Sequence, residues 1–295
     1  MSLGDFFALA SALVWSFSVI LMRVAGYQIP PMPLTFFKSC VALILLVITL
    51  ILLKQPFVVD LSGYDYLRLI VSGAVGISVA DTMIAASLNR LGASLQALAD
   101  CAYTPTITLV GFLMFGETLN AWEIMGGLLV VSGVFVGAVI KTDVATRKDM
   151  IIGIILAASA HAIMGVGILM VRDIYREESV IWVTGFRFFV AVFAMFLYGY
   201  IKYPGRLKNK LLLGFYRRDM WRTIIPMAIL GPFLATLFWI AGFKFLEAGR
   251  AAIYNQMSTA FIIILAYIFL GEKLTTRKAL GVFLALTGAL LVATH

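Results

Sequence analysis

The stretch Phe115-Gly116-Glu117-Thr118-Leu119 recurs in the chain as Leu270-Gly271-Glu272-Lys273-Leu274. A constant shift of 155 residues carries the glycines behind the first copy, Gly126 and Gly133, onto Gly281 and Gly288. The same shift carries Leu91, Ala93, Ala97, Thr104, Leu119, Leu129 and Ala138 onto identical residues. Earlier in the chain a shift of 149 maps Gly4, Ala8, Arg23, Thr35, Phe37 and Ala42 onto identical residues, and Lys38 onto Arg187. The six extra residues fit the longer loop 202–222, where an insertion is tolerated. One design is therefore written twice, over residues 1–141 and 149–295.

Each copy consists of apolar runs too long for a soluble core. With 62% hydrophobic and 13% charged residues and a mean hydropathy of +1.01, the chain belongs in a bilayer, where a spanning helix needs about 20 apolar residues. Ten such runs are present, near 4–23, 33–53, 67–88, 93–115, 120–140, 150–171, 179–201, 223–243, 249–270 and 276–294. The expected fold class is an all-α polytopic membrane protein with ten transmembrane helices. Five spans per copy is an odd number, so the second copy enters from the opposite side. The two units become inverted repeats, as in many secondary transporters.

The first run has no Lys or Arg before it and exceeds a signal-peptide core, so it reads as a retained helix. Fifteen Lys and Arg follow the odd-numbered runs and six follow the even-numbered ones. The positive-inside rule then places the loops after odd runs in the cytoplasm and both termini outside, in a plasma or inner membrane. The net charge of +8 lies in short loops without interleaved aromatics, so nucleic acid is not an expected partner. Cys40 and Cys101 are separate and intramembrane, so no disulfide framework or metal motif follows from them. No GxSxG, HExxH or Walker A motif is present and no loop could hold a catalytic domain, so an enzyme is not expected. No cofactor or metal is implied.

Ionisable groups inside a bilayer are costly and mark pathways. Asp100 shares a helical face with Gln96 and Tyr103, and its repeat mate is Asn255, flanked by Tyr254 and followed by Ser258. These faces read as a substrate-contacting surface or as interhelical hydrogen bonds. Asp81, with Ser78 one turn before it, has Thr236 as its mate, followed by Trp239. It could carry a proton, meet a cationic substrate, or pair with Lys38 or Arg187. Trp15 in run one and His161 in run six complete the polar set, His161 being hydrogen-bonded structure or a proton relay. Lys38 and Arg187 occupy equivalent positions, which favours a structural or gating role over substrate binding. Glu117 and Glu272 sit beside glycines at helix boundaries, where each could cap the following helix.

The paired Gly-Glu elements with equal downstream spacings, together with Phe37-Lys38 and Phe186-Arg187, resemble the drug/metabolite transporter superfamily, specifically its ten-helix EamA type. The resemblance implies a basket of helices around a central cavity lined by helices one, three, four, six, eight and nine, with two and seven at lateral gaps. On this sequence the implied lining is Trp15, Ser78, Asp81, Gln96, Asp100, Tyr103, His161, Trp239, Tyr254, Asn255 and Ser258. The expected activity is secondary transport, with efflux of amino acids or related small metabolites by alternating access and protons as candidate coupling ions. The rival within the superfamily is an exchanger of sugar phosphates or nucleotide sugars. Outside it stand a non-transporting membrane partner and a lipid-modifying enzyme. Run nine has Ala260 where run four has Pro105, so the two halves need not behave alike.

Overall fold

The computed structural model describes residues 3–115, 120–138, 146–245 and 248–294; of 104, 107, 108, 111, 114, 115, 123, 137, 138, 242–245, 248–256 and 292–294 only the backbone is described. Where they are described, the apolar runs fall on helices, and no strand occurs among the described residues. The first three runs form α1 (Leu3–Gly26), α2 (Pro31–Leu52) and α3 (Gly63–Gly73), the last passing through a π-helical segment, Ala74–Val79, into α4 (Ala80–Leu91). The fourth is split into α5 (Ala93–Asp100) and α6 (Tyr103–Phe115), and α7 (Ala121–Ala138) closes the first half. The second half contains α8 (Arg147–Leu169), a short connecting α9 (Arg172–Glu177), α10 (Val180–Lys202), and two single turns, α11 (Leu207–Lys210) and α12 (Leu213–Tyr216). Then α13 (Trp221–Ala228) runs through a second π segment, Ile229–Ala235, into α14 (Thr236–Phe245), followed by α15 (Ala248–Leu270) and α16 (Thr276–Thr294).

Among the described residues, six helices are long and apolar enough to cross a membrane: Leu3–Gly26, Pro31–Leu52, Gly63–Leu91, Arg147–Leu169, Val180–Lys202 and Arg218–Ala241. Within α7 and α15 lie shorter apolar stretches, Ile124–Val136 and Met257–Leu270. In lipid every backbone polar group must find its partner inside the protein, which is why the chain resolves into helices. Their starts are set by local chemistry. Ser62 and Thr146 each accept a hydrogen bond from the amide three residues on, and Pro31 stands at the first position of α2, where its missing N–H costs nothing. Gly92, at φ +80°, turns the chain sharply between α4 and α5, a conformation few other residues tolerate.

The distribution of polarity is that of a protein whose solvent is hydrocarbon. Large apolar side chains such as Ile44, Phe135, Phe193 and Phe283 are exposed, while Ser16, Thr35, Lys38, Ser39 and Arg187 are buried.

The packing exchanges the halves. Contacts of α1 with α13 and α14 correspond to those of α8 with the α3–α4 helix, and α2–α10, α5–α15 and α7–α16 each join equivalent helices. The two π segments also correspond under the 155-residue shift. At the α7–α16 crossing an added Cβ on Gly133 would lie 2.5 Å from the Gly281 carbonyl oxygen, and one on Gly288 would collide with the Gly126 carbonyl. These contacts are reciprocal because 126 and 133 map onto 281 and 288. Small residues let the backbones meet, which is how helices associate where lipid removes the hydrophobic drive.

Gly133→Leu and Gly288→Leu should each destabilise the crossing, by about 1–3 kcal/mol on the scale of overpacked cores. The readout is apparent Tm in detergent. Gly63→Ala, at a site with open space around it, should leave Tm unchanged.

Candidate functional site

Between the halves, α1, α2, both π-interrupted helices, the α5–α6 joint, α8, α9, α10 and α15 line a cavity of about 200 Å³. Three polar groupings face it, each held by a different local feature.

The first is Lys38 on α2 with Asp81 in the first turn of α4. Lys38 Nζ lies 2.7 Å from Asp81 Oδ2, and the two side chains are 4% and 16% exposed. Either charge alone would cost about 2.5–3.5 kcal/mol at the centre of a membrane helix. Of the roles open to Asp81, the geometry selects the pair with Lys38. The π segment just before it widens the helix by one residue per turn, a feature common at functional sites.

The second is centred on Asp100. Pro105, in the first turn of α6, has no N–H to continue the helical ladder, and the chain breaks at Cys101–Ala102. The equivalent stretch of α15 carries Ala260 and runs on unbroken. Asp100 thus ends α5 at the cavity. Its Oδ1 accepts from Gln96 Nε2 at 2.7 Å and lies 2.8 Å from His161 Nε2. Behind it, the Ser87 hydroxyl sits 2.5 Å from Gln96 Oε1 and 2.7 Å from the Gly153 carbonyl oxygen. The Tyr103 ring meets His161 edge-on at 5.6 Å. The His161 Nδ1 is buried without a hydrogen-bond partner.

The third is Arg187 on α10. It is 6% exposed, its Nη1 donates to the Tyr175 hydroxyl at 2.8 Å, and its Nε has no partner. The Tyr175 hydroxyl lies 3.4 Å from Thr184 Oγ1.

Of the residues expected to line the cavity, Trp15, Asp81, Asp100, Tyr103, His161, Trp239 and Ser258 do so, joined by Lys38 and Arg187. Gln96 does not: at 1% exposure it stands behind Asp100 and orients it. Ser78 turns its hydroxyl back to the Ala74 carbonyl inside the π segment. Tyr254 and Asn255 lie on α15 with only their backbone described, and Glu117 lies outside the described residues. Glu272 caps a helix other than the one expected. It accepts from the Ala93 and Ser94 amides, at 2.8 and 3.0 Å, and so holds the start of α5 in the other half rather than the start of α16. Tyr175 escaped sequence reasoning because α9 lies between apolar runs, and Thr184 was visible only as a repeat identity.

A larger and more open cleft, about 640 Å³, lies at the end carrying the loops after odd-numbered runs. Arg90, Asp149 and Lys210 line it, and none of the expected site residues does.

The model of the EamA-like transporter family matches residues 2–138 and, a second time, residues 151–294. The chain belongs to the EamA-like transporter family. This EamA-like protein is accordingly an integral, multi-pass membrane protein of the drug/metabolite transporter superfamily. Among solved structures, a crystal structure whose description names no activity superposes with a TM-score of 0.70 at 17% identity, covering 99% of this chain and 96% of that one. That likeness shows the fold. No curated protein matches the chain.

Removing one member of the Lys38–Asp81 pair leaves the other charge stranded. Lys38→Met and Asp81→Asn should each cost about 3–5 kcal/mol, the scale for a broken buried pair. The double variant should lose clearly less than the sum, because neither charge remains. A double-mutant cycle on apparent stability in detergent reads the coupling; additive losses would mean that the pair contributes nothing.

Proposed function

We propose that this EamA-like protein is a secondary carrier that exports an amino acid or a related small metabolite by alternating access. In this reading ten helices form two inverted five-helix repeats, residues 1–141 and 149–295, with both termini outside an inner or plasma membrane. The observation that carries the proposal is a cavity of about 200 Å³ at the interface of two exchangeable halves, faced by ionisable groups from both. Its volume lies below the range of about 300–1,000 Å³ usual for drug-sized ligands, which favours a small metabolite.

A latch at one end fits alternating access. Arg68 on α3 donates to the Met170 carbonyl at 3.0 Å and to Asp173 Oδ2 at 2.8 Å, and also pairs with Asp65. It thereby ties the first half to the α8–α9 corner of the second, at the end assigned to the outside. The Arg68 guanidinium holds the Asp173 carboxyl below the usual carboxylate range. A depressed folded value means the contribution is present above the ordinary aspartate range and is lost only as pH falls through the lowered value. The candidate for proton coupling is the Asp100–His161 pair, whose members lie 2.8 Å apart and face the cavity.

The sugar-phosphate reading requires two free cations in the cavity. Lys38 is committed to Asp81, which removes one of them and ranks that reading second.

Reconstituted vesicles loaded with amino acids test the proposal. Flux should depend on an imposed pH gradient. Asp100→Asn and His161→Gln should flatten that dependence and lower flux by about tenfold or more, within the range for a lost acid–base group. Absence of flux for every amino acid tried would end the carrier reading, and an unchanged pH profile in both variants would end proton coupling.

A further inference from the structure

We propose that Arg187 is the seat of a carboxylate on the transported solute, an inference that rests on the carrier reading above. It comes from a place where the two halves differ. The 149-residue shift pairs Lys38 with Arg187, and the 155-residue shift pairs Asp81 with Thr236. In the first half the cation is answered by its acid at 2.7 Å. In the second the acid's position is held by threonine, whose hydroxyl turns to the Gly231 carbonyl at 3.4 Å. The second half thus carries a cation at the position of Lys38 but no acid at the position of Asp81.

The consequence is an unanswered charge. Among the described residues no carboxylate lies within ion-pair distance of Arg187. A guanidinium carries five N–H donors in a fixed fork, and here one nitrogen is committed to the Tyr175 hydroxyl while the buried Nε has no partner. An added Cβ on Gly76 would come within 3.5 Å of Nη2, so the missing side chain there keeps space open beside the guanidinium. Arg187, Tyr175, Thr184 and Gly76 all line the cavity. Tyr175 gives the guanidinium a hydroxyl and, at 5.8 Å, a ring face, but neither neutralises its charge, so the site favours an anionic group from outside the chain.

The donor set points to carboxylate over phosphate. The planar fork matches a carboxylate in two-point contact. A phosphate dianion would call for a second free cation, and Lys38, the nearest equivalent, is already neutralised by Asp81. Arg187 thus becomes a binding residue rather than the gating or purely structural element its duplication suggested.

Equilibrium binding to the purified full-length protein in detergent tests this. The probes are small amino acids and monocarboxylates, each beside its own amide, with small phosphate esters as a third arm, and the readout is the ligand-dependent rise in apparent Tm. The acids should raise Tm and their amides should not. Arg187→Gln should weaken the acid response by at least tenfold, and Arg187→Lys should retain part of it. Thr236→Asp, which adds a carboxylate to the cavity wall at the equivalent of Asp81, should abolish the response in a protein whose arginine is intact, so the test survives a misfolded Arg187→Gln. The proposal is overturned if amides stabilise as well as acids, if no acid stabilises, if only phosphate esters do, or if both Arg187→Gln and Thr236→Asp bind acids like the unsubstituted protein. Binding in detergent needs no transport. Acids that bind through Arg187 but never cross a vesicle membrane would sink the carrier reading alone; flux indifferent to Arg187 would sink this proposal alone.

Discussion

A charge inside a bilayer has almost nowhere to go, and the Lys38–Asp81 contact is this protein's answer. At a separation of 2.7 Å, with both side chains nearly buried, each group removes the other's solvation penalty in a medium where neither could remain alone. The contact also fixes geometry. It ties α2 to the start of α4 immediately after a π-helical segment.

Duplication turns this local solution into a functional difference. The halves share their packing scheme, their π segments and their reciprocal glycine contacts, so the scaffold is close to symmetric. The polar groups are not. Asp100 is anchored by Gln96 and His161 at a break that Pro105 creates, whereas α15 passes the equivalent point unbroken. Lys38 is neutralised and Arg187 is not. The scaffold repeats, and the polar groups of the cavity do not.

Much of this was legible in the sequence because it depends on period and composition. The apolar runs, the two-fold design and the intramembrane positions of Asp81, Asp100, His161 and Arg187 follow from hydropathy and from constant shifts. Pairing did not follow. Lys38 and Asp81 lie 43 residues apart, and the residue type alone left Asp81 several partners. Gln96 was legible as a polar neighbour of Asp100, but whether it faced the cavity or stood behind the carboxylate depended on how the chain turns at Cys101–Ala102. Glu272 was recognisable as a cap and assigned to the wrong helix, because its target amides lie 178 and 179 residues away. Tyr175 left no signal, since a tyrosine in a polar connection has no periodicity to betray it.

The account stands or falls on a solute-accessible chamber between the two units. With Cys40 and Cys101 replaced by alanine, single cysteines can be placed at Met164, on the cavity wall, and at Ala266, in the fully buried core. Their reaction with a small membrane-impermeant thiol reagent should differ: the cysteine at 164 should be modified and the one at 266 should not. A cysteine at 164 as inert as the one at 266 would mean that the chamber is packed shut, and the account would be wrong.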